Sequence, residues 1–154
     1  MHIDNLTLKG SLRMVLRDAN GEVKDERFID NLVVTVGKSH VTSRMIGVTQ
    51  NIMSHMSVGT NNTAAAAGDT TLGTELAKVA FDATQTQTTT TTTDDSVTHV
   101  ATFPAGTGTG ALVEAGIFNA AGANTGVMLC RTVFSVINKG ASDSLTITWK
   151  VVLA

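Results

Sequence analysis

The chain has 154 residues, of which 42% are apolar and 16% are charged, and its formal net charge is −2. This length is that of one domain with a single hydrophobic core. Because basic residues are few and the net charge is negative, the chain has no positive field for a phosphate backbone, and nucleic acid is not an expected partner. The apolar runs are shorter than the roughly 20 residues of a membrane-spanning helix, so no membrane partner is expected either. The opening MHIDNLTLKG has no apolar signal-peptide region, which favours synthesis and use in a reducing cytoplasm.

The first predicted element is a β-hairpin. Apolar and polar residues alternate over residues 6–17, a pattern typical of a half-buried strand. Asn20 and Gly21 then supply a turn, and a second strand is predicted over residues 23–29. The neighbouring opposite charges at positions 25–27 indicate a solvated edge.

The periodicity then changes to that of a helix. Val34, Val41, Met45 and Val48 are spaced by seven, four and three positions, which is the apolar stripe of one helix face. This spacing predicts a helix over residues 35–46, and we expect no other helix in the chain.

Short strands and polar loops follow the predicted helix. Residues 53–59 alternate as a short strand, and residues 60–70 form a polar, low-complexity loop. The threonine tract, residues 85–95, contains a run of six threonines at residues 88–93 that has no apolar face to bury, so we expect either a surface loop or a hydroxyl-rich edge strand. Residues 97–103 read as a strand that ends at Pro104, which cannot donate to a strand ladder.

The last third, residues 111–154, predicts a β-meander of three strands. The three apolar runs are separated by the turn-like sequences AAGANTG and NKGASDS. From Leu145 onward every second residue is apolar, which directs Trp149 into the core. The opposite face is mostly wet and carries Thr146, Thr148 and Lys150.

Together these elements predict an all-β fold, a jelly-roll-like β-sandwich with one α-helix at about residues 35–46. We expect a single domain over residues 1–154. Within it, residues 1–31 form an N-terminal arm and hairpin, and residues 32–154 form the core.

The chain carries no motif for catalysis, metal binding or cofactor binding. Cys130 lies in a strand pattern, where a lone thiol is usually a small core residue. His40 has no second ligand at helical spacing. The glycine-rich stretch at residues 105–110 is not followed by Gly-Lys-Ser/Thr or by a predicted helix, so we interpret it as a connector. We therefore expect no enzyme activity, no cofactor and no metal.

Glu114 is the one carboxylate that lies inside an apolar run, between Val113 and Ala115. It is either a buried acid with a raised pKa or a structural carboxylate that holds Arg131 or backbone amides. Catalysis needs a constellation of groups, whereas an ion pair needs one partner. We therefore favour a structural pair of Glu114 and Arg131.

Three segments together resemble a family of small structural proteins from tailed bacteriophages. Residues 57–76 match its Gly-Thr and Asp-Thr-x-Leu-x-x-Glu pattern, and residues 112–122, LVEAGIFNAAG, match its Glu-Ala-Gly-hydrophobic-Phe-Asn run. Residues 127–154 resemble its C-terminal strand pair. In that pair the matching positions are Arg131, Phe134, Lys139, Asp143, Leu145 and Trp149. The resemblance covers roughly residues 31–154.

This resemblance implies a virion structural protein that decorates and stabilises the capsid as a cement protein. Such proteins are small β-rich modules that cluster as homotrimers on the capsid exterior and bind the major capsid protein between capsomers. Assembly would take place in the host cytoplasm. The same resemblance also suits a tail, neck or fibre-associated subunit. A carbohydrate-binding β-module is a further alternative, although such sites present exposed aromatic rings and Trp149 is predicted to face the core.

Two candidate assembly surfaces are suggested by the sequence. The first is the N-terminal stretch, which is either an arm that reaches a neighbouring subunit or the lead-in to the first strand. Its residues are Met1, His2, Ile3, Asp4 and Asn5. The second is the wet face of the last strand, with Thr146, Thr148 and Lys150.

Overall fold

The computed structural model describes residues 5–83 and 85–154. Within these ranges the chain forms nine strands and one helix. In chain order they are β1 (Leu8–Arg17), β2 (Val23–Val33), α1 (Thr35–Met45), β3 (His55–Gly59), β4 (Glu75–Ala80), β5 (Thr86–Thr88), β6 (Ser96–Phe103), β7 (Gly110–Phe118), β8 (Met128–Lys139) and β9 (Ser144–Leu153). In this part of the chain, no helix is both long and apolar enough to cross a membrane.

All nine strands belong to one antiparallel sheet, in the order β4-β3-β7-β8-β2-β1-β9-β6-β5, which curls into a half-barrel. The prediction of a mostly β fold with one helix is confirmed, but the two-sheet jelly-roll sandwich is wrong. The reason lies in β2, which pairs with β1 along most of its length. Its last two residues, Leu32 and Val33, then pair with Arg131 and Cys130 of β8. This short ladder joins the two halves into one sheet.

The segment that follows β4 links the two open sides of the half-barrel. The Asp82 amide donates to the Val100 carbonyl at 2.8 Å, and the Asp82 carboxylate accepts from the Thr102 amide and hydroxyl at 2.9 and 2.7 Å. The Phe81 ring stacks on the His99 ring with centroids 4.8 Å apart. The chain therefore crosses from β4, at one edge, to β6 near the other.

The inner face of the curled sheet holds the main core. Trp149 is fully buried, and its indole nitrogen donates to Asn31 Oδ1 at 2.7 Å. The alternation predicted for β9 is confirmed except at Leu153, which is 41% exposed. The buried residues that β1 and β9 contribute are Leu12, Met14, Leu16, Leu145, Ile147, Trp149 and Val151. The core thus extends into the N-terminal hairpin and is not confined to residues 32–154.

The hairpin lies in the middle of the sheet, because β1 pairs with both β2 and β9. The charged residues 25–27 of β2 pair with β1 alone, since the ladder between β2 and β8 contains only Leu32 and Val33 of β2. Where β2 diverges from β8, the Arg27 guanidinium fills the gap. It donates to the carbonyl of Ser135 and, at 3.0 Å, to that of Val136. Asp25 holds the guanidinium from the other side at 2.7 Å.

The helix forms close to its predicted bounds, but only the first half of its predicted apolar stripe is buried, since Val34 is fully buried and Val41 packs against the core. Gly37 and His40 are its buried residues, whereas Met45 is 83% exposed and Val48 lies beyond the helix end. A Cβ atom on Gly37 would lie 2.1 Å from the Leu129 carbonyl oxygen. Because Gly37 has no Cβ atom, the helix backbone can approach β8 more closely there than it could with an apolar side chain between them.

Candidate functional site

A buried ionic cluster lies on the outer face of β7 and β8. Arg131 Nη2 is 2.8 Å from Glu114 Oε2, and Arg131 Nη1 is 2.7 Å from Asp69 Oδ2. The Glu114 side chain is fully buried, and only 3% of the Arg131 side chain is exposed. The structure therefore brings together the two residues that the sequence pairs, and it adds Asp69.

The cluster fixes the loop of residues 60–74 onto the sheet. Glu114 Oε1 accepts from the amides of Asn61 and Thr74 at 3.1 and 2.8 Å, and Oε2 accepts from the Gly73 amide at 2.9 Å. With the two bonds from Arg131, the carboxylate accepts five hydrogen bonds. A buried carboxylate with this many donors has the environment of a structural group.

The ionisation of the partners follows from these contacts. Burial raises the pKa of Asp69, but the Ala66 amide and the Arg131 guanidinium outweigh it, so the pKa lies below its usual value. Burial lowers the pKa of Arg131, and the hydrogen bonds and charges of Asp69 and Glu114 more than offset this, so its pKa is raised. Asp69 and Arg131 therefore remain charged at neutral pH, and their ion pair can clamp the loop.

An apolar groove of about 410 Å³ opens at one end of the half-barrel, between α1 and the ends of β1, β6 and β9. Its apolar wall includes Leu8, Val41, Ile52, Val151 and Leu153. Asp94 and Asp95 lie at its rim, and the buried His40 and His99 also line it. Grooves of this size and character are typical binding sites for apolar groups.

The two histidines of the groove are engaged by glutamines. His40 Nδ1 lies 2.8 Å from Gln50 Oε1, and His99 Nδ1 contacts Gln85 Oε1. Burial lowers the pKa of His99 to about 4, so its ring is neutral at neutral pH. Across residues 5–83 and 85–154, no group of three or more His, Cys, Asp or Glu side chains is placed to hold a metal ion.

Beside the groove, the chain exposes several large apolar side chains in succession. We name them the apolar segment, which consists of Met45, Ile46, Val48 and Ile52. Met45, Ile46 and Ile52 are 83%, 80% and 62% exposed, and Ile52 also lines the groove. Arg44 steadies the segment by donating to the Gln50 carbonyl at 2.7 Å. The sequence interpretation missed this surface because it placed Met45 and Val48 on the buried helix face. Gly47, whose φ of +69° follows the helix end, is the signal that places Val48 outside the helix.

The predicted wet face lies on the outer side of β9. Thr146, Thr148 and Lys150 are half-buried there, and the Thr146 hydroxyl lies 3.1 Å from that of Thr102. Two strands away on the same face, Phe28 is 75% exposed. Ile29 points inward, and successive side chains of a strand point to opposite faces, so Phe28 lies on the outer face. The sequence interpretation did not single out Phe28 as an exposed aromatic residue.

The predicted arm lies largely outside the described residues. Met1, His2, Ile3 and Asp4 are not among them, and Asn5 is exposed. Thr7 exchanges two backbone hydrogen bonds with Ala154, at 2.6 and 2.8 Å. The described chain thus enters the sheet beside the groove, since Leu8 lines it, and away from the Thr146 end of the wet face.

The threonine tract adopts both of the expected forms. Thr86–Thr88 is an edge strand, and the residues after it form a loop folded around Asp95. The Asp95 carboxylate accepts from the Thr90 hydroxyl at 2.6 Å and from the amides of Thr90, Thr91 and Thr92. The hydroxyl of Thr90 and the amides of Thr91 and Thr92 lower the pKa of Asp95 strongly. One carboxylate therefore orders the tract.

Comparison with known proteins found no match among protein-family models, curated proteins or solved structures.

Proposed function

We propose that this protein is a structural subunit of a tailed-phage virion. In this proposal it decorates the capsid exterior as a homotrimer and stabilises the shell by binding the major capsid protein between capsomers, without catalysis. The assignment to a virion rests on the resemblance of residues 57–76, 112–122 and 127–154 to small phage structural proteins. The observation that carries the assembly function is the exposed apolar segment beside the apolar groove.

An exposed cluster of large apolar side chains is typical of a protein–protein contact surface. The apolar segment and the groove are neighbouring surfaces that share Ile52, and the exposed side chains of Met45 and Ile46 in one copy can enter the groove of the next. A contact of this head-to-tail kind closes into a ring when its rotation angle permits, and three copies make the trimer. Arg44 beside the segment and Asp94 at the groove rim have opposite charges, which favours this orientation.

The two assembly surfaces suggested by the sequence stay predictions. Met1, His2, Ile3, Asp4 and Asn5 stay a predicted assembly contact. Thr146, Thr148 and Lys150 stay a predicted contact surface on the sheet. A tail, neck or fibre-associated subunit is the alternative, and it would use the same oligomer contact.

The oligomer contact is tested on the full chain by light scattering coupled to size exclusion. We expect the wild type at three times the 16.0 kDa subunit mass and the double variant Ile46→Ser/Ile52→Ser as a monomer. Both side chains are exposed, so the fold should lose less than about 0.5 kcal/mol for each. Val136→Ser is the matched control, since Val136 is exposed on β8 away from the groove, and it should remain a trimer. A monomeric wild type, or a trimeric double variant, would refute the contact.

The location is tested on particles. A cement protein predicts hundreds of copies per virion by gel densitometry, and stripped particles should lose DNA on mild heating until the protein is added back. A copy number in the tens or below would assign the protein to the tail or neck. Unchanged heat stability of stripped particles would contradict the capsid function.

A further inference from the structure

The outer face of β2, β1 and β9 carries a shallow depression that lies outside the proposed oligomer contact. Its volume is about 360 Å³. We propose that this depression binds a neutral hexopyranose unit of a glycan, with the sugar ring stacked on Phe28. This inference goes beyond the structural function and does not depend on it.

The strand register builds the depression from two rows of side chains. In one row Phe28, Arg13 and Thr148 are direct neighbours on adjacent strands. In the other row Asp30, Ser11 and Lys150 are neighbours. Adjacent strands lie about 4.8 Å apart, and side chains on one face of a strand repeat every two residues, roughly 7 Å. The two rows therefore cover an area close to that of one pyranose ring.

The sizes of the six side chains give the depression its shape. Ser11 and Thr148 are short and form the floor, whereas Phe28 and Lys150 rise from opposite sides. Phe28 is 75% exposed, so its flat apolar ring is open to a ligand. A single exposed aromatic residue is ordinary on protein surfaces. What distinguishes this one is the set of polar groups that the register places beside it.

The chemistry of these groups matches that of a sugar. A pyranose has an apolar face of C–H groups that stacks on an aromatic ring, and its rim of hydroxyls both donates and accepts hydrogen bonds. The Asp30 carboxylate can accept from two neighbouring hydroxyls, and the Lys150 ammonium can donate to a third. Within residues 5–83 and 85–154, the side chains of Asp30, Ser11, Thr148 and Lys150 form no hydrogen bond or ion pair with one another or with other residues.

The charges around the depression favour a neutral sugar. Arg13 is paired with Glu26 at 2.6 Å, and Asp30 offsets Lys150. The four charges therefore balance, and no excess positive charge is present to attract a carboxylate or sulfate. A neutral hexose is the ligand that this balance fits.

The experiment titrates the ¹⁵N-labelled full chain with the methyl glycosides of glucose, galactose and mannose, each up to its solubility limit, and follows the amide shifts by NMR. We expect at least one glycoside to shift amides at positions 11, 28, 30, 148 and 150. Phe28→Ala should weaken that binding about tenfold or more, since it removes the stacking contact. Phe28→Trp should retain it, and Asp30→Asn should weaken it. The matched control is Val136→Ala, an exposed apolar residue outside the depression, which should bind as the wild type.

Three results would overturn the inference. The first is that none of the three glycosides shifts these amides, and the second is that Phe28→Ala binds as tightly as the wild type. The third is tighter binding of methyl glucuronide than of every neutral glycoside, which would refute the charge argument. Light scattering of Phe28→Ala separates this inference from the assembly function. A mass equal to that of the wild type is expected, and a smaller mass would show that the face is a subunit contact instead.

Discussion

Replacing Glu114 by glutamine keeps the shape of the side chain but removes the charge that clamps the loop of residues 60–74. Glutamine has one acceptor oxygen and one donor NH₂ group. If the NH₂ takes the place of Oε1, it faces the amides of Asn61 and Thr74. If it takes the place of Oε2, it faces the Gly73 amide and the Arg131 guanidinium. In either orientation the glutamine NH₂ group therefore faces other hydrogen-bond donors. Of the two acidic partners of Arg131, Asp69 alone remains.

Breaking a buried ion pair by removing one partner costs about 3–5 kcal/mol, because the remaining charge is left without compensation. We expect Glu114→Gln to lose this amount, a large part of the stability of a domain of this size. At about 2–4 °C per kcal/mol, the Tm should fall by roughly 10 °C. The matched control is Glu26→Gln, because Glu26 forms an exposed pair with Arg13, and exposed pairs contribute about 0–1 kcal/mol.

The assay is urea unfolding followed by the fluorescence of Trp149, the only tryptophan and fully buried. It should be run at several protein concentrations, because subunit association adds to apparent stability. The double variant Glu114→Gln/Arg131→Met should be less destabilised than the sum of its single variants, since it removes both charges of the pair. A loss below about 1 kcal/mol for Glu114→Gln, equal to that of Glu26→Gln, would refute the clamp.

Two further predictions concern the end of the half-barrel near the groove. Burial lowers the pKa of His99 from 6.5 to about 4. The unfolded chain therefore binds a proton that the folded chain excludes, and stability present above pH 6.5 is lost as the pH falls to about 4. We expect this loss to be about 3 kcal/mol in urea unfolding at stepped pH. His99→Gln should flatten the pH dependence between these values, and equal curves for both proteins would contradict the assignment. Gly37→Ala should destabilise the protein by about 1–3 kcal/mol despite the better helix propensity of alanine, because its Cβ meets the Leu129 carbonyl. Gly68→Ala, whose Cβ meets nothing within 4 Å, should be nearly neutral, and equal losses in the two variants would refute the close approach.

The sequence predicts most strands of this fold because their side chains alternate with period two, as in β9. It does not predict how the strands pair, because alternation is the same for a strand in a sandwich and a strand in a curled sheet. At Leu32 and Val33, β2 changes its pairing partner from β1 to β8, and no local sequence pattern marks this change. β4 has the sequence ELAKVA, which is rich in helix-forming residues, and it is a strand because β3 pairs with it.

The candidate sites, like the fold, are predicted only in part by the sequence. Glu114 and Arg131 can be found in the sequence because charges within apolar runs are rare and need partners. Asp69 and the amides of the loop cannot, since they lie in a polar stretch 40 or more residues away in the chain. The groove is assembled from the helix, the residues around Ile52 and three strand ends. No segment alone indicates it.

The position of β1 has a consequence for how the protein folds during synthesis. All ten residues of β1 pair with β9, from Leu8 opposite Leu153 to Arg17 opposite Ser144. Of the described strands, β9 is synthesised last. Until translation has passed residue 153, the β1 strand of the hairpin therefore has an edge without its β9 partner. Pairings between residues so far apart in the chain also fold slowly. Lys9, Arg13 and Arg17, which lie on β1 itself, oppose premature pairing of this edge with other nascent chains during that interval.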